Sequence, residues 1–237
     1  AAMRLAEKDI AVDLFSLFPV KRSHTACAQG GINAAMNTKG ERDTTWQHFV
    51  DTVKGGAYLA PQPPCKTLCE NAPGLIRAFD RMGVTFSRTA EGLLDARLFG
   101  GVKNRRTVFA GATTGQQLLY GLDEQVRSHE ARGTVTKYEW WEVLSFVKDE
   151  EGVCRGLTAI NLKDSTIHSF KADAVVVATG GLGQIYGRST MSTNSTGAGT
   201  ARAYRVGADY ANGEFIQIHP TAIPGDDKNR LMSEACR

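Results

Sequence analysis

The stretch from Arg22 to Ile32 carries the residue types that could do chemistry on a bound group. It places His24 between two hydroxyl residues, directly after an arginine, and a Gly-Gly pair follows. Hydroxyls and backbone N–H groups can bind polar edges, and glycine lets the backbone approach closely because no Cβ intervenes. A lone histidine in a surface loop is the simpler alternative. The spacing favours a loop that wraps a large anionic cofactor.

Composition and charge narrow the class of protein. The 237 residues carry a formal net charge of +3, with acids and bases interspersed. Nucleic-acid binding would need a clustered basic face, so this class is not expected. The apolar run Val175–Ala178 is far shorter than the roughly 20 residues of a membrane helix, and no signal peptide is visible. The length fits one large domain, or one domain and part of another.

The five cysteines are scattered along the chain and odd in number. This pattern predicts reduced thiols in a cytoplasmic setting. Cys65 and Cys69 are four residues apart, which is a conceivable metal pair. No second pair or nearby histidine completes a ligand set, so no metal site is expected.

The elements that must position the His24 loop follow from periodicity. The first eight residues look helical, and the apolar run Ile10–Ser16 predicts a buried strand. Apolar residues at helical spacing predict a helix that ends at Gly55-Gly56, with a core face of Trp46, Phe49, Val50 and Val53. The next expected elements are a proline turn at 61–64, a helix over 72–82 with Leu75 inward, and a strand at 84–86.

The second half of the chain alternates between helix and strand patterns. A helix is expected from about Thr114, and adjacent Arg105 and Arg106 are expected to be solvated. Alternating residues predict antiparallel hairpins over 140–170, with exposed His168. A buried strand should then end at Thr179-Gly180-Gly181, where a doubly wound sheet approaches a dinucleotide. Another helix is expected over 196–204.

Two motifs resemble the flavoprotein subunits of succinate dehydrogenase and fumarate reductase, in the FAD-dependent oxidoreductase 2 family. One is Arg22-Ser23-His24-Thr25 with its glycines, and the other is the run from Phe109 to Tyr120. The resemblance implies that His24 is bonded covalently to the 8α-methyl carbon of FAD. Related flavoproteins that hold FAD non-covalently, such as L-aspartate oxidase, lack this histidine.

The resemblance also implies the fold and the other cofactor contacts. The fold is α/β, with a Rossmann-like, doubly wound FAD/NAD(P)-binding domain, a β-meander insert and the start of a capping domain. Strands 10–16 and 174–178 should share one sheet. Ser16 stands where the fold often has an acid, and Ala198 where many members have an aspartate, so Ala198 is not expected to bind FAD. The implied FAD contacts, besides His24, are Ser16, Ser23, Thr25, Ala28, Gln29, Gly30, Gly31, Glu142, Val143, Thr179 and Gly180.

A dicarboxylate site is implied by the same resemblance. In the family a Phe-Gly-Gly phenylalanine, here Phe99, packs against the substrate, and the histidine of His-Pro-Thr, here His219, hydrogen-bonds a substrate carboxylate. Ser233 and Glu234 bind the same ligand, and Glu234 also joins a proton relay and is the catalytic residue expected in this chain. The implied reaction interconverts succinate and fumarate, with one hydrogen moving as hydride to or from the flavin.

The ends of the chain and its partners are also expectations. The helix at the start implies that the first strand and its glycine turn lie outside the sequence, and the family's proton-transferring arginine lies beyond Arg237. Residues 1–211 would form the FAD-binding domain and 212–237 the beginning of the capping domain. An iron–sulfur subunit and a cytochrome b-type membrane anchor are the implied partners, which places the protein peripherally on the cytoplasmic face of the inner (plasma) membrane.

Three alternatives remain open at this point. An L-aspartate oxidase or a soluble fumarate reductase would be a different enzyme, and His24 argues against both. An inactive flavin-binding remnant is favoured by the missing glycine turn and the missing proton-transferring arginine. The undamaged His24 and His219 motifs favour a partial sequence of an active flavoprotein.

Overall fold

A computed structural model describes residues 1–98, 102–187, 189–219, 223 and 232. The chain divides into two compact units, one made of 1–24 with 126–232 and the other of 25–125 with 233–237. The helices are α1 (Ala2–Ala6), α2 (Thr45–Gly55), α3 (Gln62–Arg81), α4 (Thr114–Ala131) and α5 (Ala198–Arg205). The strands are β1 (Val12–Ser16), β2 (Ile32–Asn33), β3 (Ala96–Arg97), β4 (Thr107–Val108), β5 (Val135–Glu139), β6 (Trp141–Lys148), β7 (Cys154–Asn161) and β8 (Ile167–Lys171).

The first unit contains a parallel pair of strands. β1 pairs with β5, in a register that sets Val12 opposite Val135 and Ser16 opposite Glu139. The predicted strand at 10–16 is therefore confirmed, although most of its residues are only half-buried and Ile10 is 48% exposed. The ring of Phe15 stacks on Tyr138 at 4.7 Å between centroids and meets Phe170 edge-on at 4.7 Å. These contacts pack the parallel pair against β8 of the next sheet.

The predicted insert over 140–170 is confirmed as an antiparallel meander in the order β6-β7-β8. Asp149 closes the first hairpin because its carboxylate accepts the N–H groups of Glu151 and Val153, at 3.1 and 2.8 Å. Asp164 closes the second hairpin by accepting the N–H of Thr166 at 2.9 Å. Short polar side chains thus set both turns, as the sequence predicts, and His168 is exposed.

The prediction of a strand at 174–178 that shares a sheet with 10–16 is wrong. Residues 174–178 are irregular, and among the described residues only β5 pairs with β1. Val176 and Val177 are 65% and 43% exposed. The physical reason is that an apolar run forms a strand only where it can pair with a neighbouring strand. In the doubly wound strand order a further strand lies between these two segments, so they do not pair with each other directly.

The second unit is built on α2, α3 and a small antiparallel sheet in the order β2-β4-β3. One apolar cluster packs one face of α3 against this sheet, and it includes Ile76, Phe86 and Val108. A second cluster joins α2 to α3 through Phe49, Val53 and Cys69. α2 begins where the Thr44 hydroxyl accepts the N–H of Gln47 at 2.9 Å, an N-cap that satisfies one free donor of the first turn.

Several expectations about this unit are wrong. The proline turn at 61–64 and the helix at 72–82 are one helix, because Pro63 and Pro64 lie in its first turn, where their missing N–H groups cost nothing. Trp46 and Leu75, expected in the core, are 60% and 52% exposed. The stretch 84–86 is not a strand, although Val84 and Phe86 are buried. The alternation of apolar residues there reflects burial of two side chains and not pairing with another strand.

The predicted solvated arginine pair is also corrected. The side chain of Arg106 is 1% exposed, and its Nε lies 2.8 Å from Oδ2 of Asp43, which is 1% exposed as well. Nη2 of the same arginine reaches Asp43 Oδ1 at 2.9 Å and Asp51 Oδ2 at 2.8 Å. A buried charge needs paired partners. Arg106 therefore ties β4 to α2 and to the loop before it, whereas Arg105 is exposed.

Within the described residues, no helix is both long and apolar enough to cross a membrane. No group of three or more His, Cys, Asp or Glu side chains there could hold a metal ion. Four of the five cysteines, Cys27, Cys65, Cys69 and Cys154, are free thiols.

Candidate cofactor site

His24 lies at the start of a short 3-10 helix, His24–Cys27, and its side chain is exposed. A preceding 3-10 helix, Val20–Arg22, begins where Glu139 Oε1 accepts the N–H of Val20 at 3.0 Å. Ser16, at the end of β1, donates its hydroxyl to the carbonyl of Phe18 at 2.5 Å. The carboxyl ends of β1 and β5 thus set the path of the chain up to the histidine. An exposed imidazole can be reached by a bound group.

The loop that follows His24 is held by its carbonyl oxygens. The carbonyl of Ala28 accepts the N–H of Gly115 at 2.8 Å. The carbonyl of Gln29 accepts the Thr114 hydroxyl at 3.2 Å and Arg97 Nη2 at 3.3 Å. Arg97 Nη2 also donates to the carbonyl of Gly30 at 2.6 Å. Three consecutive peptide planes are therefore fixed by β3 and the first turn of α4.

Close packing explains two of the glycines in this region. A Cβ on Gly115 would lie 2.0 Å from the carbonyl oxygen of Thr25 and 2.6 Å from the Cβ of Ala28, so only glycine lets α4 approach the loop. Gly31 has φ +121°, and a Cβ there would lie 2.6 Å from the carbonyl oxygen of Val108. The loop is therefore pressed between the start of α4 and β4.

The polar groups left over in this loop fit the edge of a flavin. Within the described residues, the buried Oε1 of Gln29 has no hydrogen-bond donor. In the same part of the chain, the N–H groups of Gln29, Gly30 and Gly31 have no protein acceptor. A flavin ring edge carries both N–H donors and carbonyl acceptors, so it complements this set. The donor set of the loop fits FAD.

A second polar region lies in the first unit. Gly180 has φ +77°, and Thr179 before it contacts the first turn of α5, where a Cβ on Gly199 would lie 2.5 Å from Thr179 Oγ1. The residue before α5, Gly197, offers no side-chain cap, and the Thr196 hydroxyl accepts the N–H of Ala198 at 3.3 Å. The other N–H groups at the start of the helix suit an anionic partner. Glu142 forms an ion pair with Arg202 of α5 at 2.6 Å, and Val143 follows it in β6.

The predicted dicarboxylate residues are only partly described. His219 is half-buried, and its backbone N–H donates to the Thr190 hydroxyl at 2.6 Å. Phe99, Ser233 and Glu234 lie outside the described residues.

Sequence reasoning missed three residues of the loop's support: Arg97, Thr114 and Gly115. The signals for two of them were modest. Thr114-Gly115 stands at a predicted helix start, where a threonine usually caps and a glycine has no local reason to occur. Arg97 offered no signal at all, because its partners are backbone carbonyls 67 and 68 residues away.

A parallel strand pair followed by a β-meander, with a glycine-bearing loop whose donors suit a flavin, defines a dinucleotide-binding flavoprotein fold. The chain belongs to the family described as the FAD binding domain, whose model matches residues 1–237.

Individual relatives carry more specific names. The chain is 62% identical to the succinate dehydrogenase flavoprotein subunit of Bacillus subtilis over 237 residues, which cover all of this chain and 40% of the relative. It is 35% identical to the fumarate reductase flavoprotein subunit of Mycobacterium tuberculosis, covering 100% of this chain and 40% of the relative. The chain therefore spans about two-fifths of the length of these relatives.

Solved structures agree in fold. A quinol fumarate reductase from E. coli, in a mutant form, superposes with a TM-score of 0.90 at 33% identity, over 99% of this chain and 39% of that one. Mycobacterium smegmatis Sdh1 in complex with UQ1 superposes with a TM-score of 0.87 at 28% identity, over 93% of this chain and 38% of that one. The predicted α/β FAD-binding fold is confirmed.

Proposed function

We propose that this chain is the FAD-bearing part of a flavoprotein that interconverts succinate and fumarate. The observation that carries the proposal is the exposed His24 and the loop that follows it. The carbonyls of Ala28, Gln29 and Gly30 are held, whereas the N–H groups of Gln29, Gly30 and Gly31 have no acceptor among the described residues. The names of relatives at 62% and 35% identity support it. FAD, when bound, would exchange a hydride with the dicarboxylate.

The residues of this chain would divide the work. His24 would hold FAD through its 8α carbon, and the N–H groups of Gly30 and Gly31 would hold a polar edge of the ring. Thr179, Gly180 and the first turn of α5 would face an anionic part of the cofactor, because the N–H groups at a helix start favour negative charge. The other proposed contacts are Ser16, Ser23, Thr25, Ala28, Gln29, Glu142 and Val143.

The dicarboxylate would be clamped by Phe99, His219, Ser233 and Glu234, with Glu234 relaying the proton. Clamping both carboxylates is a positioning task, which lowers the barrier by fixing the reacting carbons in place. The hydrogen bond from the backbone N–H of His219 to the Thr190 hydroxyl supports this role. It fixes the position of the residue whose side chain would donate to a carboxylate.

Architecture and partners complete the proposal. Residues 1–211 would form the FAD-binding domain and 212–237 the start of a capping domain. Electrons would pass to an iron–sulfur subunit and a quinone, with a cytochrome b-type subunit as membrane anchor. The protein would then lie peripherally on the cytoplasmic face of the inner membrane. Structures of a quinol fumarate reductase and of Sdh1 with UQ1 among the neighbours support a quinone-linked complex.

The deciding experiment uses the full-length protein that contains this chain. Flavin fluorescence should persist on an acid-soaked denaturing gel and disappear in His24→Ser. His168→Ser is the matched control, because that histidine is exposed and distant in sequence from the loop. Covalent flavin that survives His24→Ser would overturn the assignment.

The substrate is tested in the same protein with succinate, malonate and L-aspartate. A hydrogen bond to a charged group contributes about 1.5–3 kcal/mol. His219→Ala should therefore lower kcat/KM for succinate about 10- to 100-fold. Unchanged succinate kinetics would remove His219 from the site, and preferential turnover of aspartate would favour L-aspartate oxidase.

A further inference from the structure

Arg97 contacts both the backbone of the loop after His24 and an aromatic ring. Its Nη2 donates to the carbonyls of Gln29 and Gly30, at 3.3 and 2.6 Å. Its guanidinium carbon lies 4.4 Å from the ring centroid of Phe109, within the range of a cation–π contact. The side chain is thus held by an aromatic face while it binds two consecutive backbone carbonyls.

Peptide geometry gives these contacts a consequence. The carbonyl of Gln29 shares its plane with the N–H of Gly30, and the carbonyl of Gly30 shares its plane with the N–H of Gly31. In a trans peptide the two groups point in opposite directions. A donor that holds each carbonyl therefore turns the matching N–H away from itself. Within the described residues, these N–H groups have no acceptor of their own.

We infer that Arg97 is a positioning residue for the cofactor loop. Its guanidinium fixes the peptide planes at Gln29 and Gly30, so that the N–H groups of Gly30 and Gly31 keep one direction in which to bind the flavin edge. Glycine is the residue that would otherwise lose most conformational freedom here, and two in a row need an external anchor. The identity of the bound group rests on the proposed function, whereas the anchoring itself does not.

Charge and positioning are separable because Arg97→Lys keeps the charge of the side chain and Arg97→Gln does not. Lysine keeps the positive charge, but its side chain is one bond shorter to the donor and has no planar face to stack on Phe109. Glutamine loses the charge as well. The matched control is Arg88→Gln, since Arg88 also donates to a backbone carbonyl, that of Gly92 at 3.0 Å, but lies exposed on the surface.

The first measurement needs no flavin. In the flavin-free full-length protein, hydrogen exchange of the Gly115 amide reports on the loop, because this N–H donates to the carbonyl of Ala28. Both Arg97 variants should speed this exchange at least about tenfold, the lower end expected for loss of a hydrogen bond to a charged group. Arg88→Gln should leave it unchanged. Exchange at Ile76, which is buried in α3 of the same unit as Arg97, reports that the variants are folded.

The second measurement is the midpoint potential of the bound flavin. Oriented N–H donors stabilise negative charge on a reduced ring. A tenfold loss of that preference equals about 30 mV for a two-electron couple, so both Arg97 variants should lie about 30 mV or more below wild type. A shift in Arg97→Gln but not in Arg97→Lys would show that only the charge acts and would overturn the inference.

The outcomes separate this inference from the proposed function. Unchanged Gly115 exchange in both Arg97 variants would overturn the positioning role whether or not flavin is bound. A wild-type protein without flavin would overturn the proposed function, and the exchange measurement would still decide the role of Arg97. Should Arg97→Gln fail to fold, Arg97→Lys alone decides, because it keeps the positive charge.

Discussion

Arg106 is the largest fully buried side chain of the second unit, and its charge is balanced locally. It pairs with Asp43 and Asp51, while Asn104 donates to Asp43 Oδ1 at 2.8 Å. Asn37 also brackets the backbone of Asp43, donating to its carbonyl and accepting its N–H. Asp43 and Arg106 thus belong to different segments of the chain. The positions of the loop before α2 and of the start of β4 therefore depend on one another.

Asp43→Asn should destabilise the chain strongly. It leaves the buried guanidinium with Asp51 as its one remaining carboxylate, and breaking a buried pair by removing one partner costs about 3–5 kcal/mol. Asp51 offsets part of this cost. The free energy of unfolding, measured in urea by tryptophan fluorescence, should therefore fall by about 3 kcal/mol. Asp80→Asn, which breaks the exposed pair with Arg88, should cost less than about 1 kcal/mol. Equal effects of the two variants would contradict the burial argument.

His48 gives the same cluster a pH dependence. Burial lowers the pKa of His48 below its ordinary value of 6.5, and the Arg106 charge lowers it further, while Asp43 and Asp51 oppose the shift. The unfolded chain therefore binds a proton at higher pH than the folded chain does. The stability contribution is complete above pH 6.5 and is lost as the pH falls through the lowered pKa.

This sign predicts a difference between two histidine variants. The free energy of unfolding of wild type, from urea titrations, should fall between pH 7 and pH 5, by up to about 1.4 kcal/mol per pH unit for one proton. His48→Gln should flatten that fall, whereas His168→Gln, on the exposed face of the meander, should not. A wild-type slope that is identical in His48→Gln would show that His48 does not carry the pH dependence.

At the scale of elements, replacing glycine by alanine should have opposite effects on stability in α4 and in α3. Gly115→Ala would put a Cβ 2.0 Å from the carbonyl oxygen of Thr25, so α4 must move away from the loop, and overpacking of this kind costs about 1–3 kcal/mol. Gly74→Ala in α3 meets nothing within 4 Å and should stabilise by about 0.5–1 kcal/mol. Urea unfolding of the two variants is the measurement. Stabilisation by Gly115→Ala would show that the close approach does not exist.

Local signals predicted the elements whose formation depends on local residues. The turn chemistry of Asp149 and Asp164 and the apolar alternation of the meander all lie within a few residues of what they determine. The prediction of the start of α3 was wrong because Pro61-Gln62-Pro63-Pro64 suits both a turn and a first helical turn. Which of the two forms depends on the packing of Cys69 and Ile76 further along the helix.

Features set by distant partners could not be predicted in the same way. Nothing near Arg106 in sequence distinguishes it from Arg105, since the two acids that bury it lie 55 and 63 residues away. The exposed faces of Trp46 and Leu75 have the helical spacing of a core face, but burial is decided by what packs against them. The His24 motif, by contrast, could be recognised from the sequence because all of its residues are contiguous.

At the scale of the whole molecule, pairing decides the fate of the apolar run at 174–178. Val175 is half-buried while Val176 and Val177 are exposed, and among the described residues none forms a ladder with this segment. The apolar pattern of a buried strand is therefore not sufficient for a strand, because the run also needs a neighbouring edge to pair with.

Hydrogen exchange tests this directly. In the 237-residue chain, the amides of residues 174–178 should exchange at nearly the rate of an unstructured peptide, because they have no ladder partner. The amides of Leu157 and Ala159, paired on both sides in β7, should be protected by orders of magnitude more. Protection of 174–178 equal to that of β7 would show that the strand predicted from the sequence forms in this chain. Slow exchange that appears only in the full-length protein would show that residues outside these 237 supply the neighbouring strand.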